Sequence, residues 1–197
     1  MDPYTRPAID VLIVCTGNIC RSPMAEVLLR SHLNARGVHA SVGSAGSTQW
    51  NGGADPGAVE VMRERGLDLT AHRARPLSRE VVESADLVLG MTRAHLWAAA
   101  CHGDDVAARA FLIPEIVRLG QRVGPRQPDE DVARWIARLD AARPVAPVAG
   151  HAHDEVEDPL HHPIEVYRAT ADRLDRELGK LADLLTGSER SVDGPEL

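Results

Sequence analysis

The sequence predicts an α/β fold: a four-stranded parallel sheet in three layers, with helices on both faces. Three observations carry this. Short, continuous apolar runs recur at residues 10–15, 86–91 and 108–113, and runs of that length suit strands buried on both faces. Between them lie segments whose apolar residues repeat at helical spacing. The boundaries carry helix punctuation, with Ser-Pro or Asp-Pro ahead of a segment and Gly behind it. Alternation of this kind builds a doubly wound parallel sheet, in which ligands bind at the carboxyl ends of the strands.

The elements follow in order. "DVLIVC" (10–15) is the first strand. Ser22 and Pro23 supply an N-cap and a proline at the first helical position, and Gly37 stops the helix. That helix turns Met24, Val27, Leu28 and Leu33 to one face. "VHASVGSAG" (38–46) reads as a second strand, and Asp55-Pro56 opens a second helix with Val59 and Met62 inward and Gly66 as its stop. "DLVLGM" (86–91) is a third strand, followed by a helix through Leu96 and Trp97, and "ARAFLI" (108–113) is a fourth. The last helix spans 164–185 on Val166, Leu174, Leu178, Leu181 and Leu185.

Residues 114–153 depart from the alternation. A short helix is expected over 115–119, and "DEDVARWIARLDAA" is amphipathic through Val132, Trp135, Ile136 and Leu139. The flanks "GPRQP" and "RPVAPVAGHAH" have loop composition. The segment reads as an insertion or lid within a single domain spanning 1–197, and residues 187–197 as a frayed tail.

Composition narrows the partners. A net charge of −7 argues against nucleic acid or an anionic membrane. No apolar run approaches the roughly 18 residues of a membrane span, and "MDPYTRPAID" has no leader pattern. Three cysteines (Cys15, Cys20, Cys101) form no disulfide framework, so a reducing cytoplasm is the simplest location. His151, His153, His161 and His162, with Asp154 and Glu155, fit no metal-ligand template, and no cofactor is expected.

The chemistry concentrates in "CTGNICRSP" (15–23). All basic residues but Lys180 are arginines, so a bare Cys-x5-Arg is a weak signal. The context strengthens it. Residues Thr16 to Arg21 join a buried strand to a helix N-terminus, and Gly17 permits a turn that other residues resist. The loop's N–H groups then converge on one point, reinforced by the helix dipole, and form a nest for a tetrahedral oxyanion. Arg21 can close over that anion with a bidentate fork. An ordinary thiol titrates at about 8.5, whereas cysteines at helix N-termini beside cations fall to roughly 3.5–7.5. Ser22 can add a hydrogen bond to the Cys15 sulfur. A nucleophile facing a bound phosphate performs covalent phosphoryl transfer. A buried strand-end thiol and a passive anion site are the two other readings of the same loop.

"VCTGNICRSPMAE" resembles the phosphate loop of the low-molecular-weight protein tyrosine phosphatases, in their bacterial form. The resemblance continues through "SAGSTQW" (44–50), residues 54–78, "DLVLGMTRAHL" (86–96), "EDP" (157–159) and the final helix. It implies a phosphate-binding loop after the first strand, with Cys15 as the nucleophile that forms a phosphocysteine. Arg21 would bind the phosphate and stabilise the transferring group. The loop residues Thr16, Gly17, Asn18, Ile19 and Cys20 would cradle it. Asn18, backed by Ser44 and His72, would hold the strained loop, and Ser22 would stabilise the thiolate. Cys20 matches the family's second loop cysteine, which can bond to the nucleophile on oxidation. Trp50 would wall the cleft. The implied partner is a phosphorylated protein, phosphotyrosine first.

A departing alkoxide or phenolate also needs a proton. Of three Asp-Pro pairs, Asp2-Pro3 lies at the wrong end of the chain and Asp55 is explained as a helix N-cap. Asp158 stands just before the last helix, where the family keeps its acid, with Asp154 as fallback. After that pair the family has an aromatic residue, whereas this chain has Leu160, His161 and His162. Trp135 is a candidate to replace the missing wall. Protein-arginine phosphatases have Thr where this chain has Ile19, and a bulky Ile favours an aryl ester. Thioredoxin-coupled arsenate reductases need two further cysteines after the third strand, where this chain has Met91 and a solitary Cys101. A non-catalytic phosphate-binding module is the reading from another class, and it has no use for the Cys-Arg-Asp set.

Overall fold

The computed structural model describes residues 9–144 and 151–187. Four parallel strands, β1 (Asp10–Cys15), β2 (Ser41–Gly46), β3 (Leu87–Gly90) and β4 (Ala110–Leu112), form one sheet in the order β2-β1-β3-β4. Register levels their carboxyl ends: Val14 lies beside Ala45 on one side and Gly90 on the other, and Cys15 faces Gly46. Strand β1 is interior because its side chains are apolar on both faces. Val11, Ile13 and Cys15 enter one core, while Leu12 and Val14 enter a second. That division is the two-residue alternation of a strand.

Helices cover both faces. The larger core receives α1 (Arg21–Ala35), α2 (Pro56–Glu64), α5 (Ile113–Val123), α6 (Val132–Ala141) and α7 (Ile164–Thr186). The smaller core is closed by α3 (Arg79–Glu83) and α4 (Arg93–Ala100). Among the described residues no helix is long and apolar enough to cross a membrane.

Several boundaries differ from expectation for local reasons. Helix α1 begins at Arg21, with Cys20 in the capping position and no side-chain cap. Ser22 therefore lies inside the first turn, and its hydroxyl is engaged elsewhere. Strand β4 is shorter than 108–113, because Val106–Arg109 is a 3-10 turn and α5 starts directly at Ile113. Helix α3, capped by Ser78 accepting from Val81 N–H, was not foreseen; five residues are too few to display a period.

Within 114–153, the described part packs into the fold. Ile116 and Leu119 of α5 and Trp135, Ile136 and Leu139 of α6 are core residues. Trp135 is fully buried, with Nε1 donating to Gly124 O at 3.1 Å. It therefore does not wall the cleft. Residues 145–150, most of the expected tail, and Asp2 lie outside the described residues.

Candidate active site

The loop Cys15–Arg21 is braced by the turn that follows β2. Cys15 O accepts from Ser47 N–H at 2.9 Å, and Thr16 O accepts from Thr48 N–H at 3.0 Å and from the Thr48 hydroxyl at 2.9 Å. Gly46 permits this approach, since a Cβ there would stand 2.8 Å from Thr16 O.

Asn18 fixes the loop's shape. It is fully buried and has a φ of 55°, a left-handed conformation that Asn tolerates better than most residues. Its amide donates one proton to Ser22 Oγ (2.9 Å) and the other to Ser44 Oγ (2.8 Å), and its Oδ1 accepts from Arg75 N–H (3.0 Å). Its backbone O accepts from His72 Nε2–H at 2.8 Å. The three supports expected from the sequence, Ser22, Ser44 and His72, thus meet at Asn18.

These bonds have a direction. Ser44 Oγ, already an acceptor, donates to Glu26 Oε2 at 2.6 Å. Ser22 Oγ, also already an acceptor, has its proton free for Cys15 Sγ at 2.9 Å. Asn18 N–H adds a second donor to the sulfur at 3.2 Å. Two donors thus converge on the sulfur at the first turn of α1. Glu26 was missed in the sequence. Its one signal is that it lies four residues after Ser22 on α1, turned toward β2.

Arg21 is 5% exposed, an unusual place for a guanidinium. Nη1 donates to Val156 O at 3.3 Å, and Nη2 donates to Thr16 Oγ1 at 3.3 Å and forms an ion pair with Asp158 Oδ2. Nε is buried without a partner. Asp158 is 44% exposed at its side chain, and its Oδ1 accepts from Leu160 N–H at 3.2 Å.

These groups enclose a cleft of about 180 Å³ lined by Cys15, Thr16, Gly17, Ile19, Cys20, Arg21, Thr48, Trp50, Asp158 and Leu160. Its floor is the loop and its side walls are apolar. Trp50 is 52% exposed at the rim, with Leu160 beside Asp158. Of the expected site residues, Asn18, Ser22, Ser44 and His72 stand outside this lining and act through the loop. Asp154 is buried and accepts from Arg118 Nη2 at 2.7 Å, away from the cleft, so it cannot serve as the acid. Asp55 caps α2 by accepting from Gly57 N–H at 2.9 Å, as expected.

Two further residues are drawn in. His95 is buried, and its Nδ1 accepts from Thr92 N–H at 3.1 Å, which leaves the proton on Nε2 to donate to Thr16 Oγ1 at 3.0 Å. Burial first, then the charge of Arg21, brings its imidazole down to about 4, so it is neutral in ordinary buffers. Thr16 Oγ1 thus accepts from both His95 and Arg21, and its own proton remains free. Cys20 is buried, and burial followed by the charges of Asp55 and Asp158 pushes its thiol up to about 12. Donors surround the sulfur of Cys15, whereas carboxylates face that of Cys20. Among the described residues no cluster of three His, Cys, Asp or Glu is placed to hold a metal ion.

A family model described as low molecular weight phosphotyrosine protein phosphatase matches residues 10–120. The protein-arginine-phosphatase of Bacillus subtilis is 33% identical over 183 residues, covering 92% of this chain and 100% of its own length. EpsP of Ralstonia solanacearum, described as a probable low molecular weight protein-tyrosine-phosphatase, is 54% identical over 82 residues, 41% of this chain and 54% of its own. Among solved structures, a YwlE arginine phosphatase with a phosphorylated active-site serine is similar with a TM-score of 0.71 at 32% identity, over 92% of this chain and 99% of that one.

Proposed function

The chain belongs to the low molecular weight phosphotyrosine protein phosphatase family, and on that premise we propose that it hydrolyses phosphotyrosine in proteins through a phosphocysteine at Cys15. The observation that carries this is the meeting of Cys15, Arg21 and Asp158 at one cleft that Ile19, Trp50 and Leu160 line with apolar surface. The substrate's phosphate seats in the loop, where its charge replaces that of Asp158 as the partner of Arg21. Arg21 Nε and Nη2 then fork onto two phosphate oxygens, with Thr16 Oγ1–H as a further donor. Gly17, Ile19 and Cys20 present backbone N–H groups to the third oxygen side, while Asn18 N–H stays on the sulfur.

Cys15 Sγ attacks phosphorus as the ester P–O bond breaks. The protonated carboxyl of Asp158 gives its proton to the departing oxygen. The S–P bond so formed is then attacked by water, whose proton passes to the Asp158 carboxylate as the S–P bond breaks. Sulfur leaves as a thiolate that the Ser22 hydroxyl and Asn18 N–H receive. Ser44, His72 and Glu26 hold Asn18 rigid, so the nest is preorganised for the transition state.

A second reading, phosphoarginine, is favoured by the names of the curated relative and the solved structure that each span 92% of this chain. Ile19 at the cleft floor and Trp50 at its rim suit an aryl ring better than a hydrated guanidinium. The experiment compares kcat/KM on matched phosphotyrosine and phosphoarginine peptides for wild type and Ile19→Thr. Phosphotyrosine is expected to be preferred, with the preference narrowing in the variant. A wild-type preference for phosphoarginine would install the second reading.

A further inference from the structure

The segment that delivers Asp158 to the cleft has little structure of its own. Beyond the 3-10 turn Ala152–Asp154, residues 155–159 belong to no helix or strand. A free loop of this kind holds about 1–2 kcal/mol of backbone entropy per residue. A general acid, by contrast, must stand within hydrogen-bond reach of the leaving oxygen.

Residues 153–156 are instead held from several directions. From α7, Arg173 Nη1 donates to Glu155 O at 2.7 Å and Nη2 to His153 O at 3.0 Å. From α5, Arg118 Nη2 donates to Asp154 Oδ2 at 2.7 Å. From the residue after β3, Met91 O accepts from Val156 N–H at 2.8 Å, and Arg21 Nη1 meets Val156 O from α1. From α4, Arg93 uses both its backbone N–H (3.1 Å) and its Nε (2.7 Å) on Glu155 Oε1. Four arginines on four helices therefore converge just upstream of the acid, and Glu155 contributes the one side chain that ties the segment to α4.

We infer that Glu155 and Arg93 are positioning residues for the general acid: their pair fixes the segment so that Asp158 stands over Cys15 and Arg21. The inference rests on the reading of Asp158 as the acid. The pair is the separable part of the clamp. The Asp154 side chain is 4% exposed, so replacing it disturbs a buried position, whereas the Glu155 and Arg93 side chains are 30% and 45% exposed and losing either buries no unpaired charge. The N-terminus of α4 thereby serves the site twice, since Glu155 is held by the first residue of the helix and Thr16 by His95 two residues later. Hydrogen bonding from Arg93 keeps the Glu155 carboxyl below its ordinary range, so the clamp stays ionised into acidic buffers.

A misplaced acid has a signature that a merely loosened fold lacks. Protonation matters most when the leaving oxygen is basic, so the loss concentrates on poor leaving groups. The test measures kcat/KM on phenyl phosphate, whose phenol titrates near 10 as tyrosine does (about 10), and on a dinitrophenyl phosphate that needs little help. It is run for wild type, Glu155→Ala, Arg93→Ala, Arg93→Lys and Asp158→Ala, with Cys15 alkylation and unfolding midpoints alongside. A displacement of about 1 Å costs about a hundredfold. Glu155→Ala is expected to lose roughly tenfold to a hundredfold on phenyl phosphate and less than about threefold on the activated ester, with alkylation unchanged. Arg93→Ala is expected to lose less, because its backbone N–H bond to Glu155 survives, and Arg93→Lys less again. If Glu155→Ala folds poorly, the Arg93 pair carries the same comparison. Equal losses on both esters, or none, while Asp158→Ala is selective for phenyl phosphate, would overturn the positioning role alone. An Asp158→Ala without that selectivity would overturn the acid assignment and the positioning role with it.

Discussion

Replacing Asn18 with alanine removes three buried hydrogen bonds at once, those to Ser22, Ser44 and Arg75 N–H. Each contributes about 1 kcal/mol net. Ala also lacks the tolerance of Asn for the left-handed backbone at φ 55°, which adds about 1–2 kcal/mol. The two serine hydroxyls keep Cys15 Sγ and Glu26 as partners, so only Arg75 N–H is orphaned. The expected destabilisation is about 4–5 kcal/mol by urea denaturation, from a total of about 5–15 kcal/mol. Asn18→Gly separates the two contributions: it makes the same bonds unavailable but accepts the positive φ, and should recover about 1 kcal/mol over Ala. Catalysis should fall in both variants, because Ser22 loses the donor that orients its proton toward sulfur. An Ala variant within about 1 kcal/mol of wild type, or a Gly variant less stable than Ala, would refute the claim that Asn18 carries the loop.

Other consequences follow from single groups. Ser22→Ala removes a donor to a charged sulfur, an interaction of about 1.5–3 kcal/mol, so alkylation of Cys15 in mildly acidic buffer should slow roughly tenfold or more; an unchanged rate would contradict the role. His95 titrates near 4 when folded against about 6.5 unfolded, so its stability contribution is complete above about 6.5 and is lost as pH falls toward about 4, by roughly 3 kcal/mol in all. Subtracting the stability-against-pH curve of His95→Gln should expose that slope, and parallel curves would refute it. Trp135→Ala empties a fully buried site and should cost about 3–5 kcal/mol, while leaving kcat/KM of the folded enzyme unchanged because the residue does not line the cleft.

What the sequence made legible was local. Strand β1 is a continuous apolar run, and the loop that follows it carries its own chemistry in seven residues, so the nest, Cys15 and Arg21 could be read directly. Asp158 was singled out among three Asp-Pro pairs only by the family resemblance, which places an acid just before the last helix. The supports were less so. Ser44–Glu26 spans 18 residues and Thr16–His95 spans 79, and neither pairing has a spacing signal. The arginines that hold residues 153–156 were hidden by a composition in which nearly every basic residue is Arg. Helix α5 was underestimated because it begins directly at the end of β4, with Pro114 in its first turn and loop-like residues after it. Trp135 was assigned to the wrong environment for a plain reason: an aromatic on an amphipathic helix signals burial, not which surface buries it.

The central claim is that phosphate passes through a covalent bond to Cys15. Rapid quenching of the enzyme with an activated aryl phosphate tests it directly. A burst of released phenol equal to the enzyme present and one phosphoryl group on Cys15 by peptide mapping are expected, and neither in Cys15→Ala. Turnover without a Cys15-linked phosphate, or hydrolysis by Cys15→Ala at the wild-type rate, would contradict it.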